Sequence, residues 1–360
     1  MSALLQSIEL LHDAYAPYPH YNGFLNDRTI LLVKRSPVPT LVEIDLETGT
    51  AAERFAIARQ PSQVVDFDVA RDGSRLVFVQ DNTIMLADLS NDTIQPFYRP
   101  AEGRYLEGCT INHNGSRMLF LEVGGGRWDG RLLDVESREP RTLFSKDWRV
   151  GHVQFCPFDE NWIGFCHEGL TTTIPDRVWG WHARLAPHGR CLFDQRMAAD
   201  LSTRDRGEGA PDIDFLCAGH ERWAFHDAAF VVCAYGDSPM DPRGLYLGYA
   251  DGRPTKLVSH GNRDWHCDIS PDGQWALVDT IGPHDLPGRG WATANNTSDI
   301  LLIDVQTGRR EHLVRNFLPE NPQHPQHPHP IFSPDGRFIL YNSNRIENGR
   351  TIVSVAVIKR

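Results

Sequence analysis

The chain predicts an all-β fold, a seven-bladed β-propeller of four-stranded antiparallel blades, and three observations carry that prediction. A polar turn recurs along the sequence, and each time it leads into a short strand of apolar and β-branched residues and then a second strand closed by another turn. Seven such turns can be counted, mostly about forty-five residues apart, which is the spacing of propeller blades. A sheet of this size has two apolar faces, so it is stable only with neighbours stacked on both sides, and radial stacking closes such sheets into a ring.

Taken in order, the first turn is the degenerate Asn26-Asp27-Arg28-Thr29. The second, Asp72-Gly73-Ser74-Arg75, leads into Leu76-Val77-Phe78-Val79 and then Thr83-Ile84-Met85-Leu86-Ala87-Asp88. The third, Asn114-Gly115-Ser116-Arg117, leads into Met118-Leu119-Phe120-Leu121 and Gly130-Arg131-Leu132-Leu133-Asp134. Two more degenerate copies follow, Asp159-Glu160-Asn161-Trp162 and His226-Asp227-Ala228-Ala229. The sixth, Asp272-Gly273-Gln274-Trp275, precedes Ala276-Leu277-Val278 and, much later, Asp299-Ile300-Leu301-Leu302-Ile303-Asp304. The last, Asp335-Gly336-Arg337-Phe338, precedes Ile339-Leu340-Tyr341 and Thr351-Ile352-Val353-Ser354-Val355. Asp and Asn suit these positions because their side chains bond the backbone two residues on. The Ser-Pro-Asp-Gly turns resemble those of TolB and prolyl-oligopeptidase propellers. One domain over residues 1–360 is expected, with insertions near 170–215 and 280–330, where the spacing grows by about twenty residues.

Composition narrows the function classes. Hydrophobic residues make up 41% and charged residues 23%, which excludes disorder. No apolar run reaches the roughly 18 residues of a membrane span, and the N-terminal stretch lacks the basic patch and apolar region of a leader. The expectation is a cytoplasmic protein with no membrane partner. A net charge of −11 argues against nucleic acid, and seven cysteines without a close CxxC pair read as reduced thiols.

The unusual chemistry is histidine. His324, His327 and His329 are each followed by proline, which holds the backbone extended, and two residues of extended chain put His327 and His329 on one side. Three other segments carry histidine in the second half of the array: Phe165-Cys166-His167-Glu168-Gly169, Ala218-Gly219-His220-Glu221-Arg222-Trp223 and Asp264-Trp265-His266-Cys267-Asp268. His220, His266 and the His327/His329 pair each lie just upstream of a blade's turn, so three successive blades are expected to present imidazoles to one mouth of the channel. No Gly-x-Ser-x-Gly elbow or P-loop competes with this reading.

Through these segments the sequence resembles the oligogalacturonate lyases, propellers that split short pectin fragments. The resemblance rests on His152-Val153-Gln154-Phe155-Cys156-Pro157, the His167-Glu168-Gly169 stretch, Arg177-Val178-Trp179, Gly219-His220-Glu221 with Trp223, Trp265-His266 with Asp268 to Gly273, and His327-Pro328-His329-Pro330. It implies a divalent cation, manganese first and zinc, nickel or cobalt as alternatives, held by His266, His327 and His329. The family's glutamine ligand falls at His324, with Gln323 and Gln326 beside it, so four histidines are one possible set. The resemblance further implies His220 as catalytic base and Arg196 as carboxylate clamp, with Arg204 and Arg206 as alternatives. His167 and Arg206 are expected to touch the substrate, a small anionic oligosaccharide. Arg222 stands where the family has phenylalanine. The reaction implied is β-elimination, or lysis of a different uronate glycoside. The rival reading is a TolB-like scaffold without activity.

Overall fold

The computed structural model describes residues 7–57, 64–207 and 210–360; the first six residues of the N-terminal stretch lie outside it. All named strands fall into seven four-stranded antiparallel sheets. The first strands of blades 1 to 7 are Ala14–Tyr15, Phe67–Val69, Tyr105–Ile111, Val150–Phe155, Ala218–Trp223, Asp264–Ile269 and Ile331–Phe332. First strands of neighbouring blades touch: Tyr105–Ile111 meets both Phe67–Val69 and Val150–Phe155, and Asp264–Ile269 meets both Ala218–Trp223 and Ile331–Phe332. They form the inner wall of the ring.

Blade 7 is built from both ends of the chain. Its outermost strand, Ser7–Leu11, pairs with Arg350–Lys359 in a register that sets Ser7 opposite Ile358 and Leu11 opposite Val355. Backbone pairing between the two ends of the chain thereby closes the ring.

All seven turns occupy the same place, between the first and second strands. Each is closed by one backbone bond: Leu25 N–H donates to Thr29, Ala70 to Arg75, Asn112 to Arg117, Cys156 to Trp162, Ala224 to Ala229, Ser270 to Trp275 and Ser333 to Phe338. At Asp272 and Asp335 the carboxylate also accepts from the serine two residues earlier, at 2.6 and 2.7 Å, which explains the Ser-Pro-Asp-Gly signature.

The apolar core is divided among the seven interfaces between blades. Leu31, Val33, Phe67 and Phe78 fill the gap between blades 1 and 2, and Val77, Ile84, Met118 and Phe120 that between blades 2 and 3. The series continues to Ile30 and Val42 against Phe338 and Leu340, between blades 1 and 7. Each such side chain contributes about 1.5–3 kcal/mol on burial, so no blade is stable alone. Six of the seven cysteines are buried and all are free.

The two expected insertions each prove to be a pair of excursions. One pair links Ile163–His167 to Val178–His182 and Ala186–Cys191 to Ala218–Trp223; the other links Trp275–Thr280 to Thr297–Asp304 and Arg310–Phe317 to Ile331–Phe332. The helices among the described residues are the single turns Leu201–Thr203 and Trp291–Thr293.

Candidate functional site

The turn bonds supply a common register for all blades. Four residues before each donating residue stand Tyr21, Asp66, Gly108, His152, His220, His266 and His329, in blades 1 to 7. Four successive blades thus carry histidine at one structural position. In blades 3 to 6 the inner strand bulges there, with register shifts between Glu107 and Cys109, Gly151 and Gln154, Gly219 and Arg222, and Asp264 and Cys267. A bulge re-aims a side chain out of the pleat. His152, His220 and His329 have φ of 51°, 57° and 47°, a left-handed conformation unfavourable for residues other than glycine. The glycines before two of them are required by close approach. A Cβ at Gly219 would lie 2.2 Å from the Tyr235 hydroxyl, and one at Gly151 would lie 2.7 Å from Glu168.

His266 and His329 bring their Nε2 atoms to 3.2 Å of each other. Asp279 organises both: its carboxylate faces His266 Nδ1 at 3.0 Å and accepts from the backbone N–H of His266 at 2.8 Å and of His329 at 3.0 Å. With Nδ1–H of His266 committed to Asp279, Nε2 is left as a lone pair. Burial and the neighbouring imidazoles hold both rings well below the usual histidine range, so they are neutral. Burial pushes the Asp279 carboxyl up to about 7, the mark of an anion lacking a cationic partner. Two donors 3.2 Å apart and about 2.1 Å from one ion would subtend roughly 100°. The residues fit a divalent cation.

The rest of the proline-rich tract turns the same way. The His327 ring centroid lies 5.2 Å from that of His266 and 5.6 Å from that of His329. His324 lies 5.0 Å from His329, with both ring nitrogens buried and without a hydrogen bond, Nε2 being 3.4 Å from Asp66. The glutamines are engaged elsewhere. Gln326 Oε1 accepts from the Gln323 backbone at 2.9 Å, and Gln323 is exposed with its amide on the Asn321 carbonyl. Of the residues available to replace the family's glutamine, the structure brings His324 to the cluster.

His220 stacks on His266 with centroids 4.1 Å apart, and its Nδ1–H donates to the Trp265 carbonyl at 2.8 Å, leaving Nε2 as an acceptor. Burial, then His152, pushes its pKa down to about 3. Tyr18, on the strap that follows the first strand of blade 1, sits among the imidazoles. Its ring lies 4.8 Å from those of His20 and His329, 5.4 Å from His152 and His324, and 6.0 Å from His266. Arg222, buried, ties this strap in place by donating to the Pro19 carbonyl and, at 2.8 Å, to Asp268. Arg222 thus enters a buried ion pair with Asp268.

The arginines are arranged differently from expectation. Arg196 is exposed, 3.2 Å from Asp214 and over the Phe215 ring. Arg204 pairs with Asp212, and Arg206 is exposed on the same excursion. The structure brings none of the three into contact with the histidines. Arg177 lies nearer to His220 in the fold: it is buried beside Gly219, donates to the Gly169 carbonyl at 2.8 Å, lies 3.4 Å from Glu168 and keeps Nε without a partner. His167 faces away as well, stacked on Trp148 at 4.1 Å and bonded to Asp176 at 2.9 Å. A cavity of about 430 Å³ opens beside the cluster, lined by Tyr18, Asp66, Gly108, His152, Glu168 and His324 among others.

Three residues of the site, Tyr18, His152 and Arg177, receive no role from the sequence, although His152 and Arg177 lie in stretches that carry the resemblance. His152 carries a signal: Gly151-His152 repeats Gly219-His220 at the same offset from its turn. Arg177 lies within the Arg177-Val178-Trp179 motif, which by itself assigns it no role. Nothing local marks Tyr18.

No protein-family model matches the chain. Curated relatives include an oligogalacturonide lyase of Pectobacterium atrosepticum, 22% identical, and an oligogalacturonate lyase of Dickeya dadantii, 23% identical. Each match covers 59% of this chain and 51% of the relative, so the chain matches about half the length of these proteins. Among solved structures, an oligogalacturonate lyase in complex with manganese superposes with a TM-score of 0.77 at 16% identity, over 99% of this chain and 94% of that one. An oligogalacturonate lyase from Vibrio parahaemolyticus gives 0.76 at 14% identity over the same shares. These are the proteins whose motifs the sequence resembles, and their fold is the fold observed.

Proposed function

We propose that this protein is a divalent-cation-dependent lyase that breaks a uronate glycosidic bond by β-elimination, with short oligogalacturonides as substrate. The observation that carries the reading is the pair of Nε2 atoms 3.2 Å apart on a shared Asp279, with His220 stacked alongside. Two converging imidazole nitrogens, with His266 Nε2 left as a lone pair because Asp279 faces its Nδ1, are the donor pair a divalent cation needs. The likeness to a lyase in complex with manganese supports the same metal.

The chemical obstacle is carbon acidity: removing the proton α to a carboxylate gathers a second negative charge on the same group. A cation held by His266, His329, His327 and His324 would supply Lewis-acid stabilisation of that charge, manganese being the first choice. Arg177 supports the same task, and its buried position and free Nε favour it over Arg196 as the carboxylate clamp. His220 takes the proton at Nε2, because its Nδ1–H is held by Trp265. Its low pKa keeps the ring unprotonated until substrate arrives, and the anionic substrate then raises its basicity. Tyr18 and Trp265 pack against the rings and exclude water from their apolar edges.

The test is direct. Protein supplied with manganese and a panel of oligogalacturonides is expected to generate the ultraviolet absorbance of a conjugated, unsaturated uronate. No rise with any uronate-containing oligosaccharide overturns the reading.

A further inference from the structure

We infer that His152 is the acid that protonates the departing glycosidic oxygen, an assignment that rests on the lyase reading above. Elimination needs two proton transfers. One proton leaves carbon for His220, the electrons of that C–H bond become the new C=C bond, and the C–O bond breaks with its pair on oxygen. An alkoxide is a poor leaving group, so a donor on the cavity wall is required.

His152 occupies the required place. It stands one blade from His220 at the same ring position, with ring centroids 6.1 Å apart, and it lines the cavity. Its two nitrogens face two carboxylates, Nδ1 at 3.5 Å from Glu221 and Nε2 at 3.6 Å from Glu168. Nδ1 is enclosed without a hydrogen bond, and Nε2 lies on the side of Glu168, itself a cavity residue. The other neighbours are His20 and Tyr18, whose rings lie 4.8 and 5.4 Å away, and Cys166 and Arg177. Cys166 brings sulfur within 4.8 Å of the His152 and Glu221 donors, and burial pushes its thiol far up.

The two carboxylates that face His152 also hold its proton: burial and Arg177 pull its pKa down, and Glu221 with Glu168 more than offsets them, so it is raised. His152 is charged at low pH and loses its proton as pH rises through its raised pKa, so it sets the alkaline limb of the rate profile.

The experiment compares His152→Gln with the native enzyme on an oligogalacturonide and on a uronate glycoside bearing a nitrophenolate leaving group at the eliminated position. The expected result is a loss of about 10²–10⁴-fold in kcat on the oligosaccharide, near-native turnover of the activated substrate, loss of the alkaline limb and unchanged bound manganese. Equal impairment on both substrates, or an alkaline limb that survives, overturns the assignment while leaving the lyase reading standing. Inactivity of the native enzyme on both substrates sinks that reading itself. A His152→Gln variant that does not fold is replaced by Glu221→Gln, which is expected to shift the alkaline limb to lower pH; no shift overturns the assignment.

Discussion

Blades 4 to 7 and blades 1 to 3 are built alike, yet they serve the site in opposite ways. At the ring position the first group carries His152, His220, His266 and His329; the second carries Tyr21, Asp66 and Gly108. Two residues further on, both groups use the same latch. Asp68 accepts from the Asn22 N–H at 2.6 Å and the Ile111 N–H at 2.9 Å, bridging blades 1 and 3, and Asp268 accepts from the Phe332 N–H at 2.8 Å and from Arg222. The turns and the Asp68 and Asp268 latches serve the architecture of both groups, whereas the register position carries histidine in only one of them. The histidine half supplies reagents. The other half supplies room, since the 430 Å³ cavity lies over Asp66, Gly108 and Val79.

This division can be broken by substitution on either side. The largest effect is expected for His220→Ala, which should lower turnover by about 10³–10⁴-fold while bound manganese, measured by elemental analysis, stays at the native level. Metal loss in that variant would merge His220 with the ligands and blur its separate role. Next, Arg177→Ala should cost about 10²–10³-fold in kcat/KM, the usual loss for one charge-stabilising donor, whereas Arg196→Ala should stay close to native. The reverse order would return the clamp to the exposed excursion.

A smaller effect is expected of Asp279→Asn. Because that carboxylate orients His266 without touching a cation, manganese affinity should fall about 10–100-fold, read by titration of the metal-free protein; unchanged affinity would deny it that positioning role. The smallest belongs to the other half of the ring. Asp66→Asn, which removes the carboxylate beside His324 but none of the register histidines, should change activity by no more than about threefold. A loss there comparable to His220→Ala would mean that both halves carry chemistry.

The parts of the site legible in the sequence are those tied to a local landmark. His266 and His329 share an offset from turns that Asp and Ser side chains write into the chain, and His220 precedes the Asp227 turn at nearly the same distance. His152 stands at that offset too, but its turn is one residue longer at the closing bond, from Cys156 to Trp162. The arginine is harder to find. Sequence distance from His220 favours Arg196, whereas strand pairing carries Val178–His182 next to Ile163–His167 and brings Arg177 against Gly219.

Seven blades, their order and the histidine-bearing half of the ring were determined by the sequence alone, because turns and strand alternation are written in residues close together along the chain. The tertiary structure decided which groups meet at the centre. It placed His324, not Gln326, toward the cluster by tying the Gln326 carbonyl to Asn344 and its side chain to Gln323. It also set Tyr18 against His266, His324 and His329 from the far end of the chain. Closing the ring joins residues about 350 positions apart, and no local pattern encodes which side chains such a closure brings face to face.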